Sequence, residues 1–174
     1  MGDTLQDDTG HDDMFLVDDE QDGAQSSKHL LFNIGSEVYG IDIAHVTEII
    51  EMQKITEVPD MPGFIKGVIN LRGRVIPVMD LRLRFEMKER EYDDRTCVII
   101  VNIATTSMGF IVDTVAEVHD IAADDIEPPP SFKTDEGRNQ YISGLGKVED
   151  RVTILIDVDQ ILAERELEAV ATGT

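Results

Sequence analysis

The stretch Gly67-Val68-Ile69-Asn70-Leu71-Arg72-Gly73-Arg74-Val75-Ile76-Pro77-Val78-Met79-Asp80-Leu81 decides the fold, because it returns 77 residues later as GLGKVEDRVTILIDV, residues 144–158. In that register Gly67, Arg74, Val75 and Asp80 meet Gly144, Arg151, Val152 and Asp157, while Val78 and Met79 lie over Leu155 and Ile156. An earlier segment, Leu30 to Pro59, returns after 69 residues and sets Asn33, Gly40, Val46, Glu48 and Pro59 over Asn102, Gly109, Val115, Glu117 and Pro128. Leu31, Phe32, Ile34 and Ile43 then meet Ile100, Val101, Ile103 and Val112. Two similar lobes are predicted, burying a face against each other and leaving a seam and two unlike outer ends. That geometry suits binding better than catalysis.

Around the quoted stretch, short runs rich in β-branched residues alternate with Gly and Pro. Leu30–Ile34 and Val38–Ile43 read as a hairpin across residues 35–37. Val68–Leu71 and Arg74–Leu81 read as a second pair of strands about Arg72-Gly73, where glycine supplies a tight turn. The second lobe repeats the plan with strands at Thr96–Ile103, Met108–Val118, Gly144–Val148 and Arg151–Val158. Ala44–Glu51 spaces Val46, Ile49 and Ile50 at helical intervals and is predicted as one or two helical turns. Asp80 and Asp157, at equivalent strand ends, are expected to be duplicated caps rather than a catalytic pair. Eight extra residues between Pro128 and Gly144, among them Lys133, Asp135, Glu136 and Gly137, read as an exposed loop. A final helix is predicted over 159–170 with Asp159 as its N-cap. The class is mainly β, built from small barrels.

A chain of 174 residues fits one domain of two lobes plus a tail. The lobes are expected mainly from residues 30–90 and 95–158. Residues 1–27 carry nine acidic side chains and no Lys or Arg, too little apolar surface to offset chain entropy, so a disordered acidic tail is expected there. A net charge of −21 argues against nucleic acid. No apolar run is long enough to cross a bilayer and no secretory leader is visible, so a cytoplasmic protein without direct membrane insertion is expected. Cys97, the single cysteine, sits in a strand and reads as a small core hydrophobe.

Catalytic and metal-binding patterns are not visible. His11, His29, His45 and His119 have no ligand spacing, Gly144-Leu145-Gly146-Lys147 is followed by Val148 rather than Ser or Thr, and no serine stands in a nucleophile elbow. No cofactor and no metal are expected. What is present is a basic island in an acidic chain: Lys66, Arg72, Arg74, Arg82 and Arg84 against the single acid Asp80. A solvated face accounts for Arg82 and Arg84. Arg72, at the tight turn, is placed to pair with a carboxylate, and Glu48 is the candidate partner.

The segments Tyr39–Ile43 with Val46–Ile49, Phe64–Gly73 and Val75–Arg82 resemble the CheW family of chemotaxis coupling proteins, over about residues 29–168. The resemblance implies two five-stranded, SH3-like β-barrels sharing a core. It also implies a non-enzymatic adaptor joining chemoreceptor cytoplasmic tips (methyl-accepting chemotaxis proteins) to the CheW-like regulatory domain of the histidine kinase CheA in membrane-associated arrays. The receptor-binding positions that the resemblance carries over are Val46, Glu48, Ile49, Arg72, Gly109, Val112, Val115 and Val118, in the seam. Val46 and Ile49 would floor an apolar groove for a receptor helix, and Glu48 with Arg72 would hold two segments in register. The kinase would meet the outer ends of the barrels. Two other readings remain open at this point: a small-molecule or nucleotide sensor using an interlobe pocket, and a regulatory module for a different histidine kinase.

Overall fold

The computed structural model of the chain describes residues 26–103, 105–129 and 141–161. The tail up to residue 25, the loop at 133–137 and the helix beyond residue 161 lie outside the described residues. Eleven strands are named: β1 (Ser26–Ile34), β2 (Glu37–Asp42), β3 (Val46–Glu51), β4 (Ile65–Leu71), β5 (Arg74–Asp80), β6 (Cys97–Ile103), β7 (Thr106–Val112), β8 (Thr114–Ala122), β9 (Ile126–Glu127), β10 (Ile142–Val148) and β11 (Arg151–Ile156). One short helix, α1 (Leu81–Arg84), follows β5. Single 3₁₀ turns stand at Ile43–His45, Ala123–Asp125 and Val158–Gln160.

Three local expectations are corrected. Ala44–Glu51 is a 3₁₀ turn and then an edge strand, its burial alternating along Val46–Glu51 as it pairs with β6. Four of those six residues are β-branched, and a sheet edge was available to them, so pairing overrode the helical spacing. The run Met108–Val118 breaks at Asp113 into β7 and β8, which enter different sheets. Ser26 and Ser27, placed in the tail by composition, are the first residues of β1 and pair with Ala122 and Ile121. Asp157 caps the last described turn, accepting from Asp159 N.

The strands form two sheets, one ordered β8-β1-β2-β11-β10-β9 and the other β3-β6-β7-β5-β4. The repeat maps one order onto the other: β1 onto β6, β2 onto β7, β3 onto β8, β4 onto β10 and β5 onto β11. The parallel pairing of Gly40 with Leu155 becomes that of Gly109 with Val78. Even the irregularities recur, with the shift between Leu31 and Phe32 matching the one between Val46 and Glu48. Sheet membership nevertheless departs from a split near residue 90. The first hairpin of each repeat pairs into the sheet that carries the rest of the other repeat, so each sheet is closed by strands from both halves of the sequence.

Alternation of side chains across each strand gives every central strand two buried faces. One face meets the shared core, where Leu30, Phe32, Ile34 and Ile41 of one sheet pack with Met79, Ile99, Val101 and Phe110 of the other. The opposite faces fill separate interiors, Ile69, Leu71, Ile76, Val78, Val98 and Ile100 in one lobe, Leu31, Val38, Ile121, Val148 and Leu155 in the other. Such two-sided burial explains why strands such as Val98-Ile99-Ile100-Val101 are continuous apolar runs.

Candidate functional site

Arg72 and Gly73 form the turn between β4 and β5 with φ of 53° and 88°. Positive values at both central positions are the geometry of a primed hairpin turn, which matches strand twist. Asn70 Oδ1 accepts from Gly73 N at 2.8 Å and holds the turn. The turn presents Arg72 outward, and its Nη2 donates to Glu48 Oε2 on β3. This ion pair joins the two opposite edge strands of one lobe, since β3 and β4 end the same sheet. Arg72 is mostly exposed, so the pair contributes little stability, roughly 0–1 kcal/mol, and sets register at a surface.

The remaining positions carried over in the seam separate into three environments. Ile49 and Val118, equivalent in the repeat and both on edge strands, are 43% and 49% exposed and are the apolar surface of the set. Val46 and Val115 are half-buried against the shared core. Gly109 and Val112 are both buried, Val112 at 1% exposure within the shared core. A Cβ at Gly109 would fall 2.7 Å from Val98 Cγ1 and 2.9 Å from Val78 Cγ1, so glycine there permits strand approach and offers no contact surface. The irregularity at Thr47 sets Val46 opposite Val101 and Ile49 opposite Ile99, two residues of the shared core, so Val46 and Ile49 stand on the same face of β3.

Between the sheets, Phe32, Tyr39, Phe85 and Tyr141 stack in series with ring centroids 6.0, 5.0 and 4.8 Å apart. Arg84 lies over the rings of Phe64 and Tyr141 and donates from Nε to Ile161 O. Burial pushes the hydroxyls of Tyr39 and Tyr141 above the ordinary tyrosine range. Arg82 is likewise no solvated strand residue. Its Nε and Nη2 reach both oxygens of Asp113 at 3.0 and 2.7 Å, with side-chain exposures of 15% and 14%. Asp113 also accepts from Gly35 N and from Arg90 Nη1, tying the β1–β2 turn, α1 and the segment before β6 to the point where β7 passes into β8. Burial alone raises the Asp113 carboxyl, but the hydrogen bonds of Arg82 and Gly35 and the charges of Arg82 and Arg90 outweigh it and hold it below the usual carboxylate range. Composition offered no sign of this clasp; the placement of Asp113 between two sheets is what creates it.

Asp80 and Asp157 are duplicated caps. Asp80 Oδ1 accepts from Arg82 N and Asp157 Oδ1 from Asp159 N, at 2.9 and 3.0 Å. Asp80 further accepts from the Tyr92 hydroxyl at 2.7 Å, and burial, then this bond, push that phenol far up. Cys97 is half-buried rather than buried, its Sγ 3.4 Å from Arg95 O. Among the described residues, no group of three or more His, Cys, Asp or Glu is arranged to hold a metal ion, and no helix is long and apolar enough to cross a membrane.

Two interleaved β-sheets around one core, with an ion-paired turn and exposed apolar edge residues, define a protein-binding module of the double-barrel kind. The sequence matches the CheW-like domain family over residues 28–166, and the chain belongs to that family. It is similar to the chemotaxis protein CheW of Klebsiella aerogenes, 39% identical over 141 residues that make up 81% of this chain and 84% of the relative. The chemotaxis protein CheW of Bacillus subtilis is 35% identical over 78% of this chain and 86% of its own. A crystal structure of the scaffolding protein TtCheW from Thermoanaerobacter tengcongensis superposes with a TM-score of 0.74 at 37% identity, covering 82% of this chain and 96% of that one. The chain is thus a chemotaxis scaffold of the mainly β, SH3-like type.

Proposed function

We propose that this protein is a non-enzymatic adaptor that couples chemoreceptor tips to the histidine kinase CheA, working in the cytoplasm against membrane-associated receptor arrays through its partners. The observation that carries the reading is the Arg72–Glu48 pair beside exposed Ile49 on edge strand β3, in a chain of a chemotaxis scaffold family. An exposed apolar residue flanked by a registered ion pair suits the face of an amphipathic receptor helix. The outer ends of the barrels remain for the kinase, and occupancy of both faces biases its conformational equilibrium without any bond being made or broken. The aromatic stack occupies the space between the sheets where an interlobe ligand would sit, which argues against the small-molecule reading.

The test is receptor-fragment binding by Arg72→His, Glu48→Lys and Ile49→Lys. Each is expected to weaken binding by about tenfold or more, roughly the loss of one desolvated polar or apolar contact, with circular dichroism and melting unchanged. Undiminished binding in all three variants would refute this placement of the receptor face, and failure of the chain to raise receptor-linked kinase activity in a reconstitution would refute the coupling role itself.

A further inference from the structure

The repeat makes the two lobes comparable position by position, and at one end they differ in kind. Glu48 corresponds to Glu117 and Arg72 to Glu149, and the backbone at 149 keeps the turn geometry of 72, with φ of 55° against 53°. Where the first lobe closes its mouth with a guanidinium on a carboxylate, the second places two carboxylates at the equivalent sites. Beneath them the interior is smaller-lined: Ile69, Leu71 and Ile76 of the first lobe are Gly146, Val148 and Thr153 in the second. The space left is a cavity of about 190 Å³, bordered by Leu31, Val38, Val148 and Thr153 with Glu117 and Glu149 at the rim.

We propose that this mouth is a socket for an arginine side chain presented by a protein partner, a contact separate from the receptor face. The volume lies below the several hundred Å³ of typical small-molecule sites and suits one side chain. Leu31, Val38 and Val148 match the apolar stem of an arginine, and the rim matches its head, since a planar guanidinium serves several acceptors at once and sheds water more readily than an ammonium. Thr153 is 1% exposed, borders the cavity, and makes no side-chain hydrogen bond among the described residues, which leaves its hydroxyl as a further acceptor. Among the described residues Glu117 has one ion-pair partner, His119 Nδ1 at 3.5 Å, and Asn33 is engaged with Thr114. Arg151, also on the rim, is the counterpart of Arg74. Arg74 donates to Ser107 Oγ, but Val38 occupies the serine's position in this lobe, and Arg151 forms no ion pair among the described residues. The socket therefore keeps a net negative rim that an incoming cation completes, as Arg72 completes the other.

The probe is an N-acetylated, C-amidated pentapeptide with arginine between two valines, titrated into the isotope-labelled full chain and followed by amide chemical shifts. Saturable shifts are expected at Leu31, Val38, Glu149 and Thr153, about tenfold weaker for the lysine counterpart and for Glu149→Gln, and undiminished in Glu48→Lys. Arg151→Gln is expected to tighten binding, and Glu149→Arg to abolish it by filling the socket from within. Absence of saturation, equal affinity for the lysine peptide, or affinity unchanged in Glu149→Gln would overturn the proposal.

Discussion

Asp113 shows how one residue acquires a role from its surroundings. Its carboxylate receives Arg82 in a two-pronged contact, Arg90 from the linker and Gly35 N from the opposite sheet. Replacing it by Asn strands a largely buried guanidinium, and a loss of about 2 kcal/mol is expected, reduced from the fully buried case by residual solvent. The pH dependence follows from the depressed carboxyl. The unfolded chain takes up this proton near the ordinary value of about 4 and the folded chain only at lower pH, so the stabilisation is complete above that value and is lost as pH falls below it. Urea titrations between neutral pH and pH 3 check this: the acid limb of stability should be shallower in Asp113→Asn than in the parent. Equal acid limbs would assign the acid sensitivity to other carboxylates. Neither Arg82 nor Asp113 announces this contact in the sequence, since they stand 31 positions apart, one in α1 and the other between β7 and β8.

At the scale of elements, the parallel contacts β2–β11 and β5–β7 depend on glycine for close approach, Gly40 in one and Gly109 in the other. A Cβ would meet Leu31 Cδ2 at 3.0 Å from Gly40, but Val98 Cγ1 at 2.7 Å from Gly109. Gly109→Ala is therefore expected to cost about 1–3 kcal/mol, and more than Gly40→Ala, because branched valine stems yield less than the end of a leucine. Chemical denaturation of both variants measures the order, and a reversed order would mean that β5 and β7 separate easily. The strand conformation of β3 is decided at the same scale. Val46, Ile49 and Ile50 satisfy a helical period, but a six-residue segment carries too little periodicity to choose, and the open edge of β6 decided it.

For the whole molecule, the exchange of hairpins makes the halves interdependent. A fragment of residues 26–95 holds β1 and β2 without β8 and β11, and β3 without β6, so none of those sheet contacts can form. Such a fragment, and its complement from residue 96, are expected to lack fixed tertiary structure alone, whereas the full chain loses structure in one transition by both far-ultraviolet circular dichroism and tyrosine fluorescence. An independently folded fragment would show that each half closes its own sheet. The interleaving also explains why the shared core is the largest apolar cluster, since strands from both halves converge on it.

The amino-acid sequence alone determined the duplication, the class of fold, the turn at Arg72-Gly73, the paired caps Asp80 and Asp157 and the candidate partnership of Glu48 with Arg72. Each of these is written locally, in spacing, turn chemistry or a repeated register. Only the tertiary structure decided that the lobes trade hairpins, that β3 is a strand whose bulge at Thr47 keeps Val46 and Ile49 on one face, that Gly109 and Val112 are buried, and that Arg82 grips Asp113. Those outcomes depend on which strand edges meet across long separations, and pairing between distant edges is settled by the joint burial of the core rather than by any one segment.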